Sequence, residues 1–521
     1  MRFALNLFEV AILTLLVFTT RCANYQDVFV AGNVYFTDGD CYARMTRARM
    51  CLERPGLIVR HHDFENYPQG TTPHTTAPLD YLILALSIAL KPFTAQPLDL
   101  AGALISPVLA LIGGWFLWWW AQRMGFRFRW VLLSLYAISP ILVQGTQLGR
   151  PDHQSLLILL VIIAVCAEWT LQNQASTTWS VVSGVAWALA IWVSAYEPLI
   201  LLILTLVILL VQDRHRLIRK PRCLGWIYFA AIIALALLIE RRVPSLSIIH
   251  PGVIFKNWSH TIGELLPVPP LNRAWFRWAG YMLAVTPFLI WSAMRKRNGG
   301  APRHRALRLI LVLLIATYLL TIWEARWAYF FVSIFAIALP GLLAPIESGA
   351  AVWLAFAISL FPILRDWDEQ LWPNESSVAA RIEHRNESVQ SRELAMMIRS
   401  SQVDAFLAPW WLSPAIAYWS GQPGIAGSSH ESLDGTADTA RFFLSEDAQT
   451  GRKILNDRDV TWVFAYDADR VARNSAAILG SPIPANPLCR VINRTPARAP
   501  SYLIFSAQNS AAKLFRVRNG P

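Results

Sequence analysis

The sequence predicts a polytopic α-helical membrane protein with a C-terminal extracytoplasmic α/β domain, and three observations lead there. Of 521 residues, 55% are hydrophobic and only 15% charged, with a mean hydropathy of +0.38. That is more apolar surface than the core of a water-soluble fold can hide. Apolar runs of about twenty residues, the helix length that crosses roughly 30 Å of hydrocarbon, recur from the N-terminus to residue 364. Beyond residue 364 the chain is less apolar, and short strand-like runs alternate with helix-like ones.

In chain order, crossings are predicted near residues 3–22, 98–120, 131–147, 155–172, 178–195, 197–212, 223–240, 274–294, 309–322, 327–344 and 349–364. The first has the composition of a signal peptide, but Glu9 inside its apolar stretch favours a retained signal-anchor. The segment from Leu79 to Leu90 is read as re-entrant or interfacial, because counting it as a span would turn every later loop to the opposite side. Three basic loops then face the cytoplasm, as positive-inside bias requires. They carry Arg123/Arg127/Arg129, Arg214/Arg216/Arg219/Lys220/Arg222 and Arg295/Lys296/Arg297/Arg303/Arg305/Arg308. The net charge of +12 and pI of 9.6 are therefore attributed to topology. Basic residues dispersed over membrane loops argue against a nucleic-acid partner. The run Trp115 to Trp120 reads as an interfacial aromatic belt beside the lipid bilayer.

This topology leaves outside loops at 23–97, 148–154 and 241–273, and an outside C-terminal domain at 365–521 following a membrane domain at 1–364. In the C-terminal domain, Ala405 to Leu407, Val460 to Ala465 and Tyr502 to Phe505 are strand-like. Pro414 to Trp419, Ala448 to Leu455 and Asp467 to Leu479 are helix-like. The six cysteines contain no CxxC pair, and Cys41 and Cys51 are taken as free thiols.

Acidic residues stand out in so apolar a chain, and the topology puts Asp40, Asp152 and Glu264 on one side of the membrane. Asp40 belongs to Asp38-Gly39-Asp40-Cys41-Tyr42, just outside the first span. Taken alone, the motif is also what a tight turn uses. Asp152 lies in Gly149-Arg150-Pro151-Asp152-His153-Gln154, where Gly and Pro suit a rigid turn and Asp152 also suits a helix N-cap. Glu264 ends Thr261-Ile262-Gly263-Glu264, and Arg326 sits at the outside end of a span, where it is read as snorkelling to headgroups or gripping a phosphate. Glu197 ends a span and is read either as lining the cavity or as an interfacial glutamate beside aromatic anchors, and Tyr67 to His74, a polar, turn-rich stretch of the first loop, either as covering the donor or as structural packing.

The ordered set Asp40-x-Tyr42, Gly149-x-x-Asp152-His153, Thr261-Ile262-x-Glu264 and Arg326 resembles the catalytic subunits of oligosaccharyltransferases, in the GT-C glycosyltransferase superfamily, with Thr-Ile-x-Glu in the bacterial form. The resemblance implies about 11–13 spans, an active site at the extracytoplasmic surface of the inner (cytoplasmic) membrane and a polyprenyl-linked sugar donor. It implies that Asp40, Asp152 and Glu264 ligate Mn²⁺ or Mg²⁺, with Asp38 a stand-in for Asp40. Arg326 would hold the donor phosphate, and Asp40 and Glu264 would contact the acceptor.

Two positions depart from the family pattern. Gln154 stands where a further acidic residue or His is expected, and Leu412 follows Trp410-Trp411 where the acceptor-recognition motif carries Asp. Trp410 and Trp411 are thus read either as acceptor-binding or as a packed aromatic pair. The expected activity is glycan transfer to a protein acceptor, with a lipid or envelope-glycan acceptor as the alternative. A transporter or flippase of lipid-linked sugars is the non-enzyme reading, and it would place charges deep inside several spans rather than at their ends.

Overall fold

A computed structural model describes residues 2–213, 220–243, 252–295 and 300–518. Arg214, Arg216, Arg219, Lys296 and Arg297 of the predicted basic loops lie outside these residues. Among the described residues, seven helices are long and apolar enough to cross a membrane, or eight if Gly349–Ser359 and Phe361–Leu371, bent by 42°, form one span. The protein is a multi-pass membrane protein.

Each of the eleven predicted segments is helical, but three are not single straight helices. The segment at 131–147 breaks into Arg129–Ile138 and Pro140–Gln144, because Pro140 carries no N–H to continue the backbone ladder. The segment at 274–294 breaks into Ala274–Ala279 and Met282–Arg295 around Gly280, whose φ of 74° leaves the helical region. The last bends and continues to Leu371. Pro78–Leu90 is a helix of 13 residues, and at about 1.5 Å per residue it is too short to cross the hydrocarbon layer.

The chain divides into two compact units. The first comprises Met1–Tyr25, Leu104–Ser245 and Glu264–Asn374. Its inner helices are His153–Asn173, 89% buried over its apolar window, and Ala325–Leu343, 94% buried. Lys220–Glu240 is only 17% buried and turns Ile227, Leu235 and Leu238 outward, as a lipid-facing helix does. That helix meets Thr177–Val193 through glycines: a Cβ on Gly184 would collide with the Gly225 carbonyl, and one on Gly225 with the Ser180 carbonyl. Small residues allow this approach in lipid, where dispersion rather than water exclusion drives packing. Several buried carboxylates of the unit are paired with arginine. Glu9 accepts from Arg129 at 2.6 Å and Trp118 at 2.9 Å, and Glu168 from Arg222 at 2.6 Å.

The second unit comprises Gln26–Ala103, Leu246–Gly263 and Glu375–Pro521. A short hairpin of β1 (Phe29–Val30) and β2 (Asn33–Val34) precedes a four-stranded sheet. That sheet contains β3 (Phe406–Leu407), β4 (Trp462–Ala465), β5 (Leu503–Gln508) and β6 (Lys513–Val517), in the order β3-β4-β6-β5. β3 runs parallel to β4, and the other pairs are antiparallel. Helices Leu433–Leu444, Ala448–Asp457 and Ala468–Leu479 complete the expected α/β arrangement. Cys41 and Cys51 are both buried.

The first loop is helical at Gly39–Glu53, and this helix packs on Ser413–Ser420. Beneath it Arg44 Nη1 donates to Asp80 Oδ1 at 2.8 Å with both side chains 3% exposed, and Arg47 lies 4.0 Å from the other carboxylate oxygen. Removing one partner of such a pair strands a charge in low dielectric. Asp80→Ala is expected to destabilise the protein by about 3–5 kcal/mol, read as a lowered thermal unfolding midpoint in detergent. A midpoint within the wild-type error would exclude this role for the pair.

Candidate active site

Asp152 and Glu264, two of the acids singled out by the sequence, belong to the first unit, together with Arg326, His153, Gln154 and Glu197. The backbone puts Asp152 at the N-cap of His153–Asn173, yet its side chain makes no capping bond. It lies instead 2.6 Å from His153 Nδ1 and 3.7 Å from Arg150 Nη2. Asp152 thus fills a helix-start position while its side chain is directed to other groups.

Glu264 sits in a single turn of 3₁₀ helix, Gly263–Leu265. Two backbone bonds tie the neighbouring residues Leu266 and Val268 to the end of the Gly300–Trp323 helix: Ala325 N to Leu266 O at 2.9 Å and Val268 N to Ile322 O at 3.2 Å. The Glu264 carboxylate takes a short bond from Arg150 Nη2 and one from the Tyr329 hydroxyl at 2.8 Å. Arg150 itself is held where its carbonyl accepts a short bond from Ser106 Oγ.

A second pair adjoins the motif. Glu197, 1% exposed, receives Arg326 Nη1 at 3.5 Å and Gln154 Nε2 at 3.4 Å. Glu197 Oε2 and Gln154 Oε1 are buried and lack a hydrogen-bond partner. Glu324 is buried beside Arg326, and burial pushes its carboxyl above the ordinary value. Of the two sequence readings of Glu197, cavity-lining or interfacial, the structure agrees with a buried member of this group. Arg150 and Tyr329 received no role in the sequence reading. Arg150 had a signal, its place beside Asp152 in a Gly/Pro turn; Tyr329 had none.

The second unit holds Asp38, Asp40, Trp410 and Trp411. Asp38 Oδ1 accepts from Cys41 N at 3.0 Å and so caps the Gly39–Glu53 helix, whereas Asp40 is exposed in its first turn. The Tyr42 hydroxyl accepts from Phe36 N at 3.1 Å and holds the approach to the cap. Gly39 is closely packed: a Cβ there would stand 3.0 Å from Ser428 Cβ and 3.5 Å from the Trp411 carbonyl. The Asp-Gly-Asp motif thus rests directly on the Trp410-Trp411 segment. Trp410 donates to Asn474 Oδ1 at 2.8 Å and packs edge-on against Trp258, so it is bound into the unit. Trp411 lies under the Arg470 guanidinium, 5.2 Å from its ring centre, and its Nε1 is buried without a partner.

At the level of sequence, no family model and no curated protein matches this chain. Solved structures do match. Archaeoglobus fulgidus oligosaccharyltransferase AglB, in complex with an inhibitory peptide and a dolichol-phosphate, has a TM-score of 0.69 at 14% identity, covering 99% of this chain and 74% of that one. The same enzyme with zinc and sulfate gives 0.63 at 14% identity, covering 98% and 73%. ArnT from Cupriavidus metallidurans bound to undecaprenyl phosphate gives 0.57 at 13% identity, covering 99% of both chains. The chain shares the fold of AglB and ArnT.

The first unit gathers the carboxylates of Asp152, Glu197 and Glu264 and an unpartnered amide oxygen on Gln154, but Arg150 stands against Asp152 and Glu264 and Arg326 against Glu197, and these three acids do not have ligand atoms all within 4.8 Å of one another. The surroundings of Glu264 favour its ionised form. Burial opposes its charge, but Arg150, Arg326 and the Tyr329 hydroxyl outweigh burial and the nearby Asp152, and hold the carboxyl below its ordinary 4.5. A carboxyl lowered on folding adds stability above its unfolded value, and that stability is lost as pH falls through the lowered value. Glu264→Gln is therefore expected to flatten the decline in thermal stability below the unfolded value of 4.5. Unfolding midpoints from about pH 6 to about pH 3 would test this; an unchanged acid slope would count against the ionised pair.

Proposed function

We propose that this GT-C protein is a metal-dependent glycosyltransferase of the cytoplasmic (inner) membrane, moving a glycan from a polyprenyl-phosphate-linked donor to an acceptor on the periplasmic or exterior side. The observation that carries this reading is the Arg150–Glu264–Tyr329 and Asp152 group beside Arg326–Glu197, at the loop ends of spans. The fold is shared with AglB and ArnT, which were solved with dolichol-phosphate and undecaprenyl phosphate.

In such a transfer the anomeric carbon's bond to the donor phosphate oxygen breaks, and a bond to the acceptor nucleophile forms as that nucleophile loses its proton. Arg326 would exchange part of its contact with Glu197 for the phosphate leaving group, whose developing charge its planar fork can hold. Glu264, kept ionised by Arg150, and Asp40 would orient the acceptor and draw on its proton. The proposed ligands are Asp40, Asp152 and Glu264 for Mn²⁺ or Mg²⁺, with Asp38 engaged as a helix cap. A bound cation would offset the carboxylates' charge toward the anionic donor and supply Lewis acidity.

Asp40→Asn, Asp152→Asn and Glu264→Gln are each expected to lower turnover of a lipid-linked donor by at least about a hundredfold, each variant still folding and unfolding cooperatively at neutral pH. Chelation should do the same, and added Mn²⁺ or Mg²⁺ should restore activity. Wild-type turnover by the triple variant would remove the reading.

The acceptor class has two readings. The first is a protein acceptor, the reading that goes with the fold shared with AglB, which was solved with an acceptor peptide. Leu412 offers no hydrogen-bond acceptor to a sequon hydroxyl, and that favours a lipid or envelope-glycan acceptor as the second reading. Weak or no transfer to an Asn-x-Thr peptide is expected. Efficient transfer that disappears with Asn-x-Ala would mean that another residue reads the hydroxyl in place of Leu412.

A further inference from the structure

Apart from the oxygen-rich group, the second unit brings together His74 of the first loop with His430 and Glu431 of the C-terminal segment. Their ligand atoms all lie within 4.8 Å of one another. His74 Nδ1 is 2.7 Å from Glu431 Oε1, and His430 Nε2 is 3.6 Å from the same oxygen, beyond hydrogen-bond length. The two imidazole rings sit 4.9 Å apart, tilted by 38°. The carboxylate is also held by the His74 backbone N–H at 2.6 Å, while Glu431 Oε2 is buried with no hydrogen-bond partner. Side-chain exposures are 30% for His74, 10% for His430 and 12% for Glu431, enough to let an ion enter.

We infer that His74, His430 and Glu431 form a zinc site distinct from the proposed oxygen-ligand catalytic site, linking the first loop to the C-terminal segment within the second unit. The donor set decides the metal. Two imidazole nitrogens and one carboxylate oxygen suit Zn²⁺, whereas Mg²⁺ and Mn²⁺ prefer oxygen. Zinc ligands at about 2.0–2.2 Å in a tetrahedron stand roughly 3.3 Å apart, and the two nitrogens stand 2.7 and 3.6 Å from the Glu431 oxygen. Three protein ligands leave the fourth position to water.

The bound ion would replace the direct His74–Glu431 contact and cross-link residues 74 and 431 of the chain, constraining the loop that carries the Asp38-Gly39-Asp40 motif. Such a cross-link stabilises chiefly by restricting the unfolded chain.

The full-length protein in detergent is loaded with Zn²⁺ alone, dialysed against excess Mg²⁺, and its retained metal counted by plasma mass spectrometry. The wild type and an Asp152→Asn/Glu264→Gln variant should each keep about one zinc per chain. His430→Gln/Glu431→Gln should lose that equivalent, and His74→Gln, altered at the most exposed ligand, should weaken zinc binding by more than the roughly 10–100-fold cost of losing an outer-shell partner. Zinc should raise the unfolding midpoint of the wild type but not of His74→Gln. Three results would overturn the site: a wild type that keeps no zinc, full retention in both histidine variants, or loss of the zinc in Asp152→Asn/Glu264→Gln. The zinc count is independent of transferase activity, so failure of the glycosyltransferase reading would leave this test intact.

Discussion

An ionised carboxylate at the edge of hydrocarbon persists only if a fixed counter-charge stands beside it, and in this protein Arg150 supplies that charge. Its guanidinium reaches both Glu264 and Asp152, and its backbone carbonyl is fixed by Ser106. The turn that carries Arg150 leads into the most deeply packed part of the first unit, where His153–Asn173 and Ala325–Leu343 lie almost wholly inside. Rigidity of those helices is what gives the site a defined shape. Glu264 gains a second restraint from Tyr329, on the inner helix Ala328–Leu343, so one carboxylate is held from both sides of a loop that would otherwise be loosely tethered.

Pairing of charge runs through the rest of the first unit. Glu9 meets Arg129 and Trp118, Glu168 meets Arg222, and Glu197 meets Arg326. Glu9 has a donor on each carboxylate oxygen, so its pair is complete. Glu168 and Glu197 each keep one buried oxygen without a partner, and such atoms cost stability unless a ligand satisfies them. What sets Glu197 apart is its company, because Gln154 beside it also presents an unpartnered buried oxygen. Two such oxygens lie next to an arginine at the end of a span, whereas both oxygens of Glu9 are satisfied by neighbouring helices.

The second unit solves a different problem, since a loop and a C-terminal domain far apart in sequence must share one core. Tight contact at Gly39 seats the Asp-Gly-Asp turn on Trp411, the Arg44–Asp80 pair anchors the helix that begins there, and His74 meets Glu431. The two units also differ in donor chemistry. The first concentrates carboxylate and amide oxygens, the second sets two imidazoles against one carboxylate, and metal preference follows from that difference.

Apolar length and charge scarcity were enough to identify the membrane class, the eleven helical segments and the α/β character of the C-terminal segment, because burial in lipid and strand alternation are written into local composition. Asp152, Glu264 and Arg326 were likewise legible, since charged residues at span ends are rare and their neighbours Gly, Pro and Thr-Ile are distinctive. Which side chains answer those charges was not legible. Arg150, Glu197 and Tyr329 join Glu264 and Arg326 across gaps of 114, 129 and 65 residues, and such pairings leave no local pattern. The breaks at Pro140 and Gly280 were present in the sequence as residue types, but a span-length window averages over them. The His74–His430–Glu431 cluster was hidden for the same reason as the ion pairs. A ligand set assembled across 357 residues exists only once the chain has folded, because distance in space, not distance in sequence, decides which atoms a metal can reach.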